Sequence, residues 1–346
     1  MRRTGYLGLC LVLILAIAIP SLAQLQADDA YRVFYNEQNP QKKLELGEKF
    51  LNDFKDSQYR PPVFQTVLNL YVQTQSWPKL IDAVDKFPTA FPNADAKLKI
   101  IAYDRGLTAA QQAGNVDKIL DYGNKLLAAD PTSLNAQFMV ATTIPLKLPA
   151  DENGKKAAMD KALDLSTKAL ASVQQTFSQP KPPTIPEPQW KALKAEYEDQ
   201  LHSTIALVYF NRSDFPKATE EYQTVLKSNP KDGPAHFYMG MIYRAQSAAA
   251  SKEYQTTLDA ENNAKRAQPV DQPLVDELAA KRQGLEGEIR EKRDKAIDEL
   301  AIAVAIGGPA GQQARPVLDA LYKSKNNDSL DGLDQLIAQK KGQIGQ

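Results

Sequence analysis

Few residues of the chain have the types and the spacing that covalent catalysis requires. Ser76 and Ser178 are each followed three positions later by a lysine, Lys79 and Lys181, a spacing that occurs where a lysine activates a serine nucleophile. One pair falls at the predicted start of a helix, and the other lies in a proline-rich segment. Because so short a motif arises easily by chance, we interpret both pairs as structural residues and predict no catalytic nucleophile.

The acidic and metal-ligating residues also give no sign of a catalytic or metal site. Glu220 and Glu221 are adjacent on a predicted exposed helix face, which is typical of solvated surface and unlike the opposed carboxylates of a glycosidase. The histidines are His202 and His236, and the one cysteine is Cys10, so an intramolecular disulfide, a thiolate cluster and a histidine-rich zinc site are excluded. Phosphate-binding, zinc-protease, nucleophile-elbow and calcium-loop motifs are absent. We therefore predict no enzyme, no metal and no cofactor.

The charge balance argues against a general nucleic-acid binder. The 346 residues include 42 Lys and Arg and 42 Asp and Glu, which gives no net charge. Binding to nucleic acid normally needs an excess of basic residues that neutralise phosphates. The hydrophobic fraction of 43% is ordinary for a folded soluble protein. A protein or peptide partner is therefore expected, and a nucleic acid is not.

The amino terminus has the pattern of an export signal. Arg2 and Arg3 precede an apolar run over residues 7–19, Pro20 ends the run, and cleavage is predicted after Ala23. Thirteen helical residues span about 20 Å, which is short of the ~30 Å hydrocarbon core of a membrane. We interpret residues 1–23 as a signal peptide, expect no stable membrane span after its cleavage, and predict that the protein is exported, either periplasmic or secreted.

Two later segments repeat one another at a distance of 34 residues. His202, Ile205, Ala206 and Tyr209 return as His236, Met239, Gly240 and Tyr243, and the first set is followed by Ala218, Tyr222, Val225 and Pro230. These residue types at these offsets resemble the tetratricopeptide repeat (TPR), and the chain resembles an exported bacterial protein of that type. The template also fits residues 61–94 and 100–133, residues 134–178 with nine inserted residues, and residues 27–60 more poorly.

The resemblance implies an all-α fold, a right-handed α-α superhelix of stacked helical hairpins. A single hairpin cannot cover its own apolar face, so it stacks on its neighbours. Small residues such as Ala206, Ala218 and Gly240 are expected where helices cross. Proline after a second helix ends that helix, because proline has no backbone N–H.

Departures from the period predict the boundaries. Five prolines between Pro180 and Pro188 predict a non-helical linker over residues 179–188, between TPR-like arrays over 24–178 and 189–306. Tyr243 and Ala296 are 53 residues apart where 9 are expected, so 44 residues are inserted. This insertion, 247–290, is rich in helix formers and predicts a long projecting hairpin, 247–268 against 272–296. It is interpreted either as a partner or dimer contact or as a solvated extension. Residues 309–346 predict capping helices.

Family ligand positions lie on the first helix of each hairpin, and the resemblance assigns them here to a lining of amide, hydroxyl and aromatic residues. The family's clamp for C-terminal carboxylates is rejected, because Gln65 stands where that clamp needs lysine. Such a lining suits an extended peptide or a helix. The predicted groove residues are Gln65, Asn69, Gln73, Asp104, Thr108, Gln111, Phe138, Thr142, Ser203, Leu207, Phe210, Asn211, Phe237, Met241 and Arg244.

Two functions remain in competition at this stage. The first is a non-enzymatic protein–protein interaction scaffold of the cell envelope that binds a peptide or helix in its concave groove. The second is an accessory subunit of an envelope enzyme or of a secretion or assembly complex, in which catalysis belongs to the partner. The sequence leaves the oligomeric state and the identity of the partner open.

Overall fold

A computed structural model describes residues 22–344, and nearly all of the predicted signal peptide lies outside this range. Within it the regular structure consists of α helices and one short 3₁₀ helix, Ile144–Leu146, with no strand. The predicted all-α fold of TPR-type hairpins is confirmed. The helices are α1 (Leu22–Asn36), α2 (Pro40–Asp53), α3 (Arg60–Gln73), α4 (Trp77–Ala90), α5 (Ala96–Gln112), α6 (Val116–Ala129), α7 (Leu134–Thr143), α8 (Glu152–Ser178), α9 (Glu187–Asn211), α10 (Phe215–Ser228), α11 (Gly233–Arg266), α12 (Gln272–Ile306), α13 (Gly308–Lys325) and α14 (Leu333–Ile344).

The chain forms two compact units, the first ending at Gly114 and the second beginning at Asn115. In unit 1 the short helices α2, α3 and α4 all begin with proline in the first turn, where a backbone N–H is not needed. A Cβ atom on Gly47 would lie 2.5 Å from Cγ2 of Val67, so glycine permits the close approach of α2 and α3. Phe50, Leu80 and Phe87 are almost completely buried in this unit.

Unit 2 repeats the same hairpin with helices of 10 to 35 residues. Ala206 of α9 and Ala218 of α10 are fully buried where these helices cross, as the repeat predicts. At the equivalent position of α11, a Cβ atom on Gly240 would meet Leu300 of α12 at 2.6 Å. Asp214 and Asp232 cap α10 and α11 by accepting a hydrogen bond from a backbone N–H three residues on.

Two helices pack on each other on either side of the proline-rich segment. α8 ends at Ser178 and α9 begins at Glu187, and the rings of Phe177 and Trp190 lie 4.2 Å apart. The expectation that the whole stretch to Pro188 is non-helical is wrong at its last two residues. Glu187 and Pro188 form the first turn of α9, a position where the missing N–H of proline costs no hydrogen bond.

The long hairpin and the terminal helices are confirmed. α11 and α12 have 34 and 35 residues and pack along their lengths. Beyond them α13 and α14 cover the end of α12, where Leu318 and Leu333 pack against Ile297 and Leu300. None of the helices within residues 22–344 combines the length and the apolar character that crossing a membrane requires.

Candidate peptide-binding surface

In unit 1 the predicted groove residues lie on two neighbouring helices. Gln65, Asn69 and Gln73 lie on α3, and Asp104, Thr108 and Gln111 lie on α5. The two helices are connected by Arg105, which the sequence pattern does not predict as a groove residue. Arg105 donates through Nε to Oδ1 of Asn69 at 3.0 Å and through Nη1 to Oδ2 of Asp104 at 2.9 Å. The Thr108 hydroxyl instead donates to the backbone carbonyl of Asp104 at 3.0 Å. This surface is polar and well hydrogen-bonded.

In unit 2 three predicted residues surround one recess of about 160 Å³. Thr142 comes from α7, and Ser203 and Leu207 come from α9, which are the first helices of successive hairpins. We call this cavity the unit 2 recess; its lining residues are Thr142, Pro145, Leu146, Ser203, Thr204, Leu207, Tyr222, Pro234 and Tyr238. Leu146 is 73% exposed beside it, at the end of the 3₁₀ turn that follows α7. The recess therefore offers apolar surface that a partner side chain can cover.

Two stacked tyrosines form part of the recess. The rings of Tyr222 and Tyr238 lie 5.6 Å apart and are nearly parallel, and Tyr222 is almost completely buried. Among the described residues the Tyr222 hydroxyl has no hydrogen-bond partner. Burial raises the pKa of Tyr222, so its hydroxyl stays protonated. No sequence signal separates Tyr222 from the ordinary aromatic position of a TPR second helix.

The three predicted phenylalanines pack inside the protein. Phe138 lies 4.7 Å from the ring of Tyr197 on α9, Phe210 lies 5.2 Å from Tyr238, and Phe237 also lies 5.2 Å from Tyr238. Each of the three retains an accessible part of its surface. They mainly pack against aromatic rings within the protein.

The remaining predicted residues lie away from the recess lining or use their polar groups locally. Thr142 donates to the backbone carbonyl of Phe138 at 2.9 Å, and Asn211 donates to that of Leu207 at 2.8 Å. Met241 is half-buried and Arg244 exposed on α11, and neither lines the recess. The structure thus brings Thr142, Ser203 and Leu207 together around one cavity.

The residues of the two Ser-x-x-Lys motifs have structural partners. Ser76 shares a hydrogen bond with Thr74, whereas Lys79 pairs with Glu48; Ser178 donates to the carbonyl of Gln175. Neither Ser-x-x-Lys pair therefore has its lysine hydrogen-bonded to its serine. Among the described residues no group of three or more His, Cys, Asp and Glu is placed to hold a metal ion.

Both histidines bond to a glutamate on the second helix of their own hairpin. Nδ1 of His202 lies 2.6 Å from Oε2 of Glu221, and Nδ1 of His236 lies 2.6 Å from Oε2 of Glu299. The hydrogen bond with Glu221 raises the pKa of His202 despite the opposing effect of burial. Burial has the largest single effect on the pKa of His236 and lowers it, but the hydrogen bond and charge of Glu299, together with the Pro230 carbonyl and Asp232, make the net shift upward. These pairs join helices at equivalent repeat positions.

Solved structures align with most of this chain, but with low scores. No protein-family model matches the chain, and no curated protein matches it. Among solved structures, a TPR protein from Parabacteroides merdae aligns over 87% of this chain and 100% of its own, with 11% identity and a TM-score of 0.36. A human IFIT1 dimer with m7Gppp-AAAA aligns over 91% of this chain and 66% of its own, with 13% identity and a TM-score of 0.35.

A third structure, the APC/C hetero-tetramer Cut9–Hcn1, aligns over 86% of this chain and 55% of its own. Its identity is 17% and its TM-score 0.24. At such low scores these alignments carry no argument about the fold or about ligands. The assignment to TPR-type hairpins rests on the helices and the 34-residue spacing described above.

Proposed function

We propose that the protein is a non-enzymatic protein–protein interaction scaffold that binds a short segment of a partner protein at the unit 2 recess. The observation that carries this proposal is the meeting of Thr142, Ser203 and Leu207, from two successive first helices, around one apolar cavity. An extended peptide or a helix would place an apolar side chain in the recess and contact Leu146 beside it.

The chemistry of the recess favours binding over catalysis. Its polar groups are hydroxyls of serine, threonine and tyrosine, with no adjacent general base among its lining residues. A shape-selective apolar contact with a few oriented hydroxyls is typical of peptide recognition.

A site-specific crosslink tests the recess in intact cells. A photoreactive amino acid at Leu146 is expected to yield one dominant protein adduct, identified by mass spectrometry. Ser203→Phe fills the recess and is expected to reduce that adduct about tenfold, as loss of an interface anchor does. Thr224→Phe is the matched control, because Thr224 lies exposed on the second helix α10.

The outcome also separates the two functional classes. Equal adduct yields for wild type, Ser203→Phe and Thr224→Phe would remove the recess from the proposal. A defined enzyme recovered in equal amount with this chain would instead favour an accessory subunit of an envelope complex.

The proposal includes export to the cell envelope or beyond, since the amino-terminal residues have the pattern of a signal peptide. Sequencing of the protein produced in a bacterial host is expected to give a mature amino terminus at Gln24. An intact amino terminus in the cytoplasmic fraction would contradict this part of the proposal.

A further inference from the structure

A second and larger cavity lies within unit 1, on a surface that the repeat pattern does not mark. It has a volume of about 380 Å³ and lies between α2 and α4, with α3 as its floor. We call it the α2–α4 cleft. Its apolar lining residues are Leu51, Phe64, Val67, Ala83, Ala90 and Phe91.

The cleft lies on the opposite side of α3 from the predicted groove residues. Phe64, Val67 and Tyr71 line the cleft and are buried beneath it, whereas Asn69 and Gln73 are exposed. At 3.6 residues per turn these two sets project from nearly opposite sides of the helix. A ligand of the cleft therefore does not occupy the groove positions that the repeat pattern predicts.

Most charges that line the cleft neutralise one another. Glu48 accepts hydrogen bonds from the Tyr71 hydroxyl at 2.7 Å and from Nζ of Lys79 at 3.0 Å. Lys86 pairs with Asp82, one turn earlier on α4, at 2.7 Å. Both lysines and both carboxylates of the lining are thus already in ion pairs, and none of them requires a charged ligand.

Arg60 is different, because no carboxylate within residues 22–344 pairs with its charge. Its Nη1 donates to the backbone carbonyls of Lys55 at 2.8 Å and Ala90 at 3.1 Å, and its guanidinium lies 4.8 Å from the centroid of the Phe91 ring. Among the described residues its buried Nε has no hydrogen-bond partner. These contacts hold the guanidinium at the end of an apolar cavity, with one positive charge left uncompensated.

We propose that the α2–α4 cleft binds a peptide segment of a partner protein that carries an apolar side chain next to a carboxylate. The apolar side chain packs between Phe64, Val67 and Ala83, and the carboxylate pairs with Arg60. A planar guanidinium stacked on an aromatic ring is well suited to a carboxylate. This site goes beyond the proposed function, because it is a second surface in a different unit.

The length of the cleft sets the length of the segment. Arg60 and Tyr71 lie at the two ends of α3, about 16 Å apart at the rise of an α helix. An extended peptide covers this distance with about five residues. Peptides of about eight residues are therefore long enough to test the site.

The experiment selects, from a displayed random library, peptides of about eight residues that bind the full chain. The selected peptides are then synthesised with acetylated and amidated ends. Only side-chain carboxylates then remain. Fluorescence anisotropy is expected to show binding that weakens about tenfold in Ala83→Phe, which fills the cleft, and in Arg60→Gln, which removes the charge. Arg60→Lys, which keeps a positive charge, is expected to bind better than Arg60→Gln.

Two controls keep this test separate from the recess and from folding. Asn69→Ala, on the opposite side of α3, and Ser203→Phe, in the unit 2 recess, are expected to leave peptide binding unchanged. Circular dichroism melting identifies any variant that fails to fold, and Ala83→Phe tests the cleft even if Arg60→Gln unfolds.

Three results would overturn the proposal. The first is selection of peptides without Asp or Glu, and the second is unchanged binding in both Ala83→Phe and Arg60→Gln. The third is tighter binding of decanoate to the cleft than of every selected peptide, which would assign the cleft to a small carboxylate amphiphile.

Discussion

The hairpin of α9 with α10 and the hairpin of α11 with α12 have equivalent contacts around their helix crossing, which we call the base of each hairpin. The two hairpins differ in length. In both, a histidine of the first helix bonds to a glutamate of the second, and a small residue lies at the crossing. His202 and Glu221 are 19 residues apart, whereas His236 and Glu299 are 63 apart. The difference equals the 44-residue insertion that the repeat predicts. The base of a hairpin and the length of its helices are therefore separate features of this fold.

The extension of the long hairpin is held by different contacts from its base. Near the base, Gly240 packs closely against the fully buried Leu300, beside the pair of His236 and Glu299. Further out, the Ser247 hydroxyl donates to the carbonyl of Ile289, and the buried Glu261 carboxylate pairs with Arg282 at 2.8 Å. Large buried apolar residues are sparse there. The extension therefore depends more on specific polar pairs than on apolar packing.

The largest effect is expected from crowding the base. Gly240→Val places side-chain carbons within the space of Leu300, where even a Cβ atom lies at 2.6 Å from Cγ and 3.3 Å from the backbone N. We expect the free energy of unfolding to fall by about 3 kcal/mol, as for overpacked cores. Urea denaturation followed by circular dichroism measures this change.

The matched control lies on the extension of the same hairpin. A Cβ atom on Gly284 of α12 meets nothing within 4 Å. Because alanine favours helix over glycine, Gly284→Ala is expected to raise the free energy of unfolding by up to about 1 kcal/mol. Equal destabilisation by Gly240→Val and Gly284→Ala would contradict the distinction between base and extension.

A smaller and local effect is expected from the extension's buried ion pair. Arg282→Met removes the cation that pairs with Glu261, a carboxylate that is 2% exposed on α11. Of its partners in the described part of the chain, the carboxylate then retains Lys265, one turn further along its own helix. Hydrogen–deuterium exchange is expected to accelerate in the outer parts of α11 and α12 and to stay unchanged in α9 and α10.

A double variant tests whether the loss of the ion pair causes this result. Glu261→Gln with Arg282→Met replaces both charges and is expected to restore part of the protection, because no buried charge that has lost a partner remains. Faster exchange spreading equally through α9 and α10 would mean that the extension and the base unfold together.

The sequence predicts this fold well because its signal is local. Small residues, aromatic residues and helix-ending prolines recur at fixed offsets, so the 34-residue spacing marks helix crossings such as those of Ala206 and Gly240. The site is harder to predict. An offset marks the face of a helix, but whether a neighbouring helix covers that face depends on residues far away in sequence, as Tyr197 does for Phe138 and Tyr238 for Phe210.

Charged contacts between helices are the part that the sequence does not indicate. Arg105 bridges to Asn69 across 36 residues, and Arg60 reaches the carbonyl of Ala90 across 30. Long flexible side chains choose such partners only once the helices are packed. The α2–α4 cleft has the same origin, since two second helices and the far side of α3 form it, and the ligand positions of the repeat include none of these surfaces.

The smallest effect is a pH dependence that the two hairpin bases share. The pKa values of His202 and His236 are raised in the folded protein by Glu221 and Glu299, although burial opposes both shifts. A histidine whose pKa is higher when folded stabilises the protein fully below its unfolded pKa of about 6.5. That stabilisation is lost as the pH rises through the folded pKa. We therefore expect the free energy of unfolding to decrease as the pH rises above about 6.5.

The surroundings of the two histidines determine which variants test this dependence. Glu198 and Asp199 add to the effect of Glu221 at His202, and Asp232 and the Pro230 carbonyl add to that of Glu299 at His236. Glu221→Gln and Glu299→Gln should each flatten the dependence of urea denaturation on pH, and His202→Gln with His236→Gln should remove most of it. The carbonyl of Pro230 lies 3.1 Å from Nε2 of His236, so both ring nitrogens of His236 face acceptors and the imidazolium form is favoured. A slope that survives in the double histidine variant would assign the pH dependence to other groups and leave the pairs a purely geometric role at the hairpin bases.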